Sequence, residues 1–96
     1  MERRVAIVDF RECKYLGQLH ERIKNALDFP EHYGENWDAF WDCLRFDTPV
    51  DHIRIVGEHT LPPELREQIR IMCELLDQCK EERTREGHVF GYEIID

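Results

Sequence analysis

Apolar positions recur along the first part of this chain with two different periods. Residues 4–10 contain the apolar run VAIV, which is typical of a β-strand covered on both faces. Over residues 15–27 the spacing changes to that of an amphipathic helix, with Leu16, Leu19, Ile23, Ala26 and Leu27 on its apolar side. His20 lies on this helix, and we interpret it as a hydrogen-bonded structural residue.

Two further strands are predicted in the second half of the chain. We expect a turn over residues 47–51 around Pro49, followed by a strand over residues 52–57 that is rich in β-branched side chains. Residues 88–95 form the last predicted strand, with Gly91 as a candidate bulge.

A long helix is predicted between these two strands. Thr60 precedes the sequence LPPE and is a candidate cap for a helix that continues to about Glu82. Its predicted buried positions are Leu65, Ile69, Met72, Leu76 and Cys79. Residues 80–86 are charged on every side, so we expect them to fray.

Strands that alternate with helices predict an α/β fold, because parallel neighbours require crossover connections. We therefore expect a small three-stranded parallel sheet packed with helices, in a single domain that spans residues 1–96. The pattern alone does not give the strand order.

Residues 29–44, FPEHYGENWDAFWDCL, contain both tryptophans and no Lys or Arg. Pro30 and Gly34 indicate a loop, after which one short helix is expected, since no further helix breaker occurs before Pro49. The positions with the i, i+3, i+4, i+7 spacing of a core-facing stripe are Trp37, Phe40, Trp41 and Leu44.

A second face of this short helix is acidic. At about 100° per residue, Glu35, Asp38 and Asp42 lie together on it. Like charges at this spacing repel one another, and the helix dipole disfavours a carboxylate such as Asp42 in the last turn. Folding alone does not require Asp42, so we interpret this face as a binding surface for concentrated positive charge. A merely solvated acidic face is the alternative.

Composition narrows the classes of partner and cofactor. A formal net charge of −8 argues against binding to nucleic acid or an anionic membrane and allows a basic protein as partner. The four cysteines lack C-x-x-C spacing and the N-terminus lacks a hydrophobic signal segment, so we expect reduced thiols in the cytoplasm. Because zinc-finger spacing and a glycine-rich phosphate motif are also missing, we expect neither a metal nor another cofactor.

The spaced motif YGEN, DA and WDCL within residues 33–44 resembles the signature of the barstar family, small intracellular inhibitors of secreted bacterial ribonucleases. Overall length, element order and the Leu19-His20 pair on the first helix extend the resemblance, whereas the C-terminal half matches in pattern only. It implies a sheet in sequential strand order and a protein that is not an enzyme. It also implies a monomer that forms a one-to-one complex with a basic ribonuclease of barnase-like type, blocking its active site with residues 29–45, which mimic RNA phosphate.

The resemblance also assigns partner contacts residue by residue. Asp42 matches the central aspartate that enters the ribonuclease site, and Asp38 matches a second contacting aspartate. The other predicted contacts are His32, Tyr33, Gly34, Asn36, Trp41 and Arg45. Three of these have simpler interpretations: Gly34 supplies a positive φ for a turn, Asn36 caps or turns the chain, and Trp41 belongs to the core.

Two positions depart from the barnase inhibitor. His32 replaces a tyrosine, and Arg45 replaces a small polar residue three positions beyond the central aspartate. A cation at that position weakens binding to a strongly basic enzyme, or pairs with an acidic group on a different one. A further contacting glutamate on the family's last helix falls near Asp77 or Gln78.

Two functions of other kinds remain open. The acidic face is compatible with an adaptor that binds a protein other than a nuclease. Glu35, Asp38 and Asp42 are also compatible with a divalent-metal hydrolase, because carboxylates suit Mg²⁺ or Ca²⁺. Against the hydrolase, three acids on one short helix rarely enclose a metal, and the sequence shows no nucleophile–base pair.

Overall fold

The computed structural model describes residues 4–46 and 48–95. In these parts of the chain there are three strands, three α-helices and one short 3-10 turn. Their bounds are β1 (Val5–Asp9), α1 (Leu16–Leu27), α2 (Trp37–Phe46), β2 (His52–Val56), the 3-10 turn (Glu58–Thr60), α3 (Pro63–Arg85) and β3 (Gly91–Ile95).

The three strands form one parallel sheet in the order β1-β2-β3. Ala6 and Val8 of β1 lie opposite Ile53 and Ile55 of β2, and Ile53 in turn lies opposite Tyr92 of β3. Both the predicted α/β class and the sequential strand order implied by the resemblance are confirmed.

Only one face of the sheet is covered, so the prediction that β1 is buried on both faces is wrong. Ala6 and Val8 are buried, whereas Val5 and Ile7 are 47% and 58% exposed. Crossovers between parallel strands are right-handed in nearly all proteins, and two such crossovers in sequential strand order place their helices on the same face. The other face therefore meets solvent, although the apolar run of β1 gives no sign of this.

The core lies between the covered face of the sheet and the helices. All five predicted α3 positions are buried: Leu65, Ile69, Met72, Leu76 and Cys79. On α1, Leu19, Ile23 and Leu27 are buried, but Leu16 at the helix start is 40% exposed. The helical periods of both segments thus identified the side chains that form the core.

The start of α3 differs from the prediction. Thr60 does not cap the helix, because its Oγ1 donates a hydrogen bond to the Gly57 carbonyl at 2.7 Å. The helix begins at Pro63, after a 3-10 turn that the sequence pattern did not indicate. A proline at the first helical position is favourable, since its missing N–H would have no partner there.

The end of α3 also differs from the prediction. The charged segment over residues 80–86 is helical as far as Arg85, and therefore is not frayed there. Arg83 explains part of this order, because its Nη2 donates a hydrogen bond to the carbonyl of Leu44 at 2.9 Å. This contact ties the last turns of α3 to the end of α2.

Two further predictions concern the turn before β2 and the start of β3. Of the predicted turn over residues 47–51, Asp47 lies outside the described residues, and residues 48–51 belong to neither a helix nor a strand. Gly91 is not a bulge, since it pairs in regular register with His52.

Candidate protein-binding site

Buried aromatic side chains anchor the loop that leads into α2 to the core. α1 ends at Leu27, where Asp28 adopts a left-handed backbone conformation with φ 57° and turns the chain. Phe29 and Tyr33 are buried, and the centroids of their rings lie 5.1 Å apart. The loop is therefore anchored at both aromatic residues.

His20 supports this loop from the middle of α1. Its ring is 1% exposed, and Nδ1 lies 2.6 Å from the hydroxyl of Tyr33. Burial lowers the pKa of His20, with a smaller opposing effect from the Glu35 carboxylate, and burial raises the pKa of Tyr33. Both groups are thus held in their neutral forms. The structural role predicted for His20 is confirmed.

Asn36 forms the cap of α2. Its Oδ1 accepts a hydrogen bond from the Ala39 N–H at 2.8 Å, and its Nδ2 donates one to the carbonyl of Gly34 at 3.2 Å. A Cβ at Gly34 would lie only 3.3 Å from Asn36 Nδ2, so glycine leaves room for this cap. The positive φ expected at Gly34 occurs instead at Glu35, with φ 52°.

Glu35 consequently lies outside the helix, and the prediction that it shares a helix face with Asp38 and Asp42 is wrong. The helix begins at Trp37, two residues beyond Glu35. A residue in the left-handed conformation cannot be part of a right-handed helix, so helical spacing does not describe where the side chain of Glu35 lies.

The apolar stripe of α2 faces the core as predicted. Phe40 and Leu44 are completely buried, while Trp37 and Trp41 are half-buried against the core. Nε1 of Trp37 donates a hydrogen bond to Oε1 of Gln68 on α3 at 2.7 Å. Trp41 therefore combines core packing with a partly accessible ring.

Asp38 and Asp42 project from the opposite side of α2, and both are exposed. Within residues 4–46 and 48–95, neither carboxylate makes a hydrogen bond or an ion pair. Glu31 differs in this respect, because its Oε2 accepts a hydrogen bond from Nζ of Lys24 at 3.2 Å in an ion pair. The two aspartates thus present negative charge that the described fold leaves uncompensated.

Arg45 does not neutralise Asp42. Its Nη2 lies 3.3 Å from Oε1 of Glu82 on α3, and its guanidinium lies 5.1 Å from the ring centroid of Trp41 and 5.0 Å from that of Phe46. Phe46 itself is 73% exposed. An aromatic and cationic rim therefore borders the acidic surface at the end of α2.

Glu82 is a residue of this region that sequence reasoning missed. We expected the acidic contact of α3 near Asp77 or Gln78, but Asp77 instead accepts a hydrogen bond from the hydroxyl of Tyr92 at 2.8 Å. Nothing in the local sequence pairs Glu82 with Arg45, because the pair depends on how α2 and α3 pack.

The eight residues predicted as partner contacts thus fall into three groups. Tyr33 is buried, and Trp41 is half-buried. The exposed residues are His32, Gly34, Asn36, Asp38, Asp42 and Arg45. All six lie on the loop before α2 or on α2 itself.

The described residues also bear on three other possibilities, namely a metal site, a disulfide framework and a membrane span. Across the described residues, no group of three or more His, Cys, Asp or Glu side chains converges to hold a metal ion. The acids Glu35, Asp38 and Asp42 are accordingly not assembled into a metal site. None of the four cysteines, all of which lie within the described residues, forms a disulfide bond. Within the same parts of the chain, no helix combines the length and the apolar character needed to cross a bilayer.

The amino-acid sequence is similar to those of known proteins. A curated Bacillus subtilis (strain 168) protein named "Putative ribonuclease inhibitor YrdF" is 49% identical over 41 residues, which cover 43% of this chain and 45% of that protein. The sequence model of the family described as Barstar (barnase inhibitor) matches residues 3–95. Because this match covers nearly the whole chain, the protein belongs to the barstar family.

Proposed function

We propose that this protein inhibits a basic ribonuclease of barnase-like type by inserting the loop before α2 and the exposed face of α2 into the enzyme's active site. The observation that carries the proposal is the exposed carboxylate of Asp42, which makes no ion pair within the described fold. Family membership and the name of the similar Bacillus subtilis protein support the choice of a ribonuclease as partner.

The physical basis is mimicry of phosphate. A ribonuclease cleft is lined by cationic groups that stabilise the charge of RNA phosphate. A carboxylate at the same position accepts charge-assisted hydrogen bonds from those groups, which are about twice as strong as neutral ones. Asp42 is the central group in this proposal, and Asp38, one helical turn away, provides a second negative charge.

Rigidity makes such a surface effective. The Asn36 cap, the buried Phe40 and Leu44, and the hydrogen bond between His20 and Tyr33 fix the loop and α2 before the partner arrives. Binding then costs little ordering of the inhibitor, so more of the interaction energy is realised as affinity.

The net charge of −8 also favours rapid encounter with a basic enzyme. The barnase–barstar pair is itself the standard measured case of such steering, so only its direction is inferred for this protein. We expect added salt to weaken inhibition mainly by slowing association, because the Debye length falls to about 3 Å at 1 M salt.

The remaining parts of the proposal follow from the family. The chain acts as a single domain and a monomer, binds one ribonuclease, performs no chemistry on RNA and works in the cytoplasm of the cell that secretes the enzyme. His32 and Arg45, both exposed, adapt the surface to its own partner.

The test is inhibition of RNA cleavage by barnase and by related secreted ribonucleases, with wild type and Asp42→Ala. Glu74→Ala is the matched control, because Glu74 is also an exposed acid that makes no ion pair with any described residue, but it lies on α3. Hot-spot residues contribute at least about 2 kcal/mol, so Asp42→Ala should raise the inhibition constant by about thirtyfold or more. An aspartate of barstar is itself one of the measured hot spots with a much larger loss of binding energy, so that larger value is not our prediction.

Two results would refute the proposal. One is inhibition by Asp42→Ala that equals inhibition by wild type and Glu74→Ala. The other is failure of the wild-type protein to inhibit any ribonuclease of this type. The second result would favour a different basic protein as the partner of the acidic surface.

A further inference from the structure

We propose that Glu82 is a positioning residue that holds Arg45 away from Asp42 and thereby keeps the central carboxylate available to the partner. The effect on inhibition rests on the function proposed above, whereas the effect on the position of Arg45 is a property of the unbound protein.

Asp42 and Arg45 are placed to pair with each other. They are three residues apart on α2, and an acid and an arginine at this spacing are neighbours on a helix surface. An ion pair between them would cover the carboxylate with the chain's own cation. The guanidinium of Arg45 instead lies 3.3 Å from Oε1 of Glu82.

Two aromatic rings hold the same guanidinium. Its central carbon lies 5.1 Å from the ring centroid of Trp41 and 5.0 Å from that of Phe46, both within the range of cation–π attraction. Phe46 is 73% exposed and so contributes little to the core. Its position beside Arg45 gives this exposed ring a role.

Glu82 is itself fixed by its neighbour in α3. Nη2 of Arg83 donates a hydrogen bond to the carbonyl of Leu44, and the Arg83 guanidinium lies 4.9 Å from the ring centroid of Phe90. Arg83 thus joins the end of α3 to the end of α2. The join places Glu82 beside Arg45.

The charge balance of the surface explains why this matters. The side chains of Arg45 and Glu82 are each 37% exposed, so each satisfies the other's charge at the edge of the surface. If Glu82 loses its charge, Arg45 has an exposed carboxylate, Asp42, within reach on its own helix. The phosphate mimic would then be partly neutralised before the enzyme arrives.

A direct contact between Glu82 and the enzyme is the competing explanation, and a double-mutant cycle separates the two. The proteins are wild type, Glu82→Gln, Arg45→Gln and the double variant, assayed for inhibition of barnase. We expect Glu82→Gln to inhibit about tenfold more weakly, and the double variant to return to within about threefold of Arg45→Gln. If removing Glu82 in the Arg45→Gln background weakens inhibition by the same factor as it does in wild type, the proposal is overturned.

A measurement on the unbound protein decides the same question without any ribonuclease. We expect Glu82→Gln to move the NMR resonance of the Asp42 carboxyl carbon, and Arg45→Gln in the same molecule to abolish that movement. Glu81→Gln is the control, because it removes a glutamate of α3 that pairs with Arg85 at 2.6 Å instead of with Arg45. An equal movement with and without Arg45 would contradict the proposal.

The two experiments also separate this inference from the proposed function. If Asp42→Ala inhibits as well as wild type, the proposed function fails, yet the resonance of Asp42 still reports the position of Arg45. If Asp42→Ala is impaired but the double variant is not rescued, the proposed function stands and the role of Glu82 is refuted.

Discussion

The buried pair of His20 and Tyr33 predicts that stability depends on pH through one histidine. His20 Nδ1 lies 2.6 Å from the Tyr33 hydroxyl, and the ring centroid of Trp37 lies 4.6 Å from that of His20. His20 is also 1% exposed, so a proton added to the ring would place a charge where water does not reach it. We therefore choose His20→Gln as the perturbation.

The direction of the pH effect depends on whether the folded or the unfolded state binds the proton of His20 more readily. Burial lowers the pKa of His20 in the folded protein, against a smaller opposing effect of Glu35. In the unfolded chain the pKa of a histidine is about 6.5. The unfolded state therefore binds more protons below that pH. The stabilisation is fully present above about pH 6.5 and is lost as the pH falls towards the lower, folded-state pKa.

Linkage sets an upper limit on the size of the effect. One proton changes the free energy of unfolding by at most about 1.4 kcal/mol per pH unit. If the folded protein takes up no proton at His20, the change between pH 7.5 and pH 5.5 amounts to about 1.4 kcal/mol, because only the titration of the unfolded histidine then contributes.

The carboxylate of Asp9 affects stability in a different pH range. The Arg11 guanidinium, through its hydrogen bonds, lowers the pKa of Asp9 to about 2. The stability from that interaction is present above the unfolded pKa of about 3.9 and is lost as the pH falls towards 2. This loss lies well below the range chosen for His20.

The assay is urea unfolding at several values between pH 7.5 and pH 5.5, for wild type, His20→Gln and His32→Gln. His32→Gln is the matched control, because it makes the same substitution at a histidine that is exposed on the loop. We expect wild type and His32→Gln to lose stability together as the pH falls, and His20→Gln to lose less of it. If stability falls in parallel for all three proteins, His20 is not the source of the pH dependence.

Two further predictions concern backbone positions and are also measured by urea unfolding. Gly57→Ala should lower the free energy of unfolding by more than about 2 kcal/mol, because φ is 79° and the new Cβ would lie 2.9 Å from the Arg11 backbone nitrogen. Gly87→Ala should lower it by only about 1 kcal/mol, because φ is similar, at 81°, but the space around the residue is open. Equal costs at the two glycines would contradict the role given to the close contact. Asn36→Ala should cost about 0.5–2 kcal/mol by removing the cap of α2, and the exposed Asn25→Ala on α1 should stay within about 0.5 kcal/mol of wild type. A cap variant as stable as its control would show that the hydrogen bond to the helix contributes nothing.

The features that could be predicted from the amino-acid sequence are those that depend on local periodicity. The buried seam of α3, the core stripe of α2 and the alternation of strands and helices follow from spacing, because a side chain's direction on a helix or strand is fixed by its position in the repeat. The outward direction of Asp38 and Asp42 follows for the same reason, since they lie opposite the stripe that must be buried.

The features that could not be predicted are those that depend on which helices and strands pack against one another. The sequence pattern of β1 predicts a fully buried strand, but its outer face is exposed because the helices cover only one side of the sheet. The inward position of Tyr33 depends on His20, a residue of a different element. The pairing of Arg45 with Glu82 depends on the packing of α2 against α3. Such contacts join residues distant in sequence, and no local repeat encodes them.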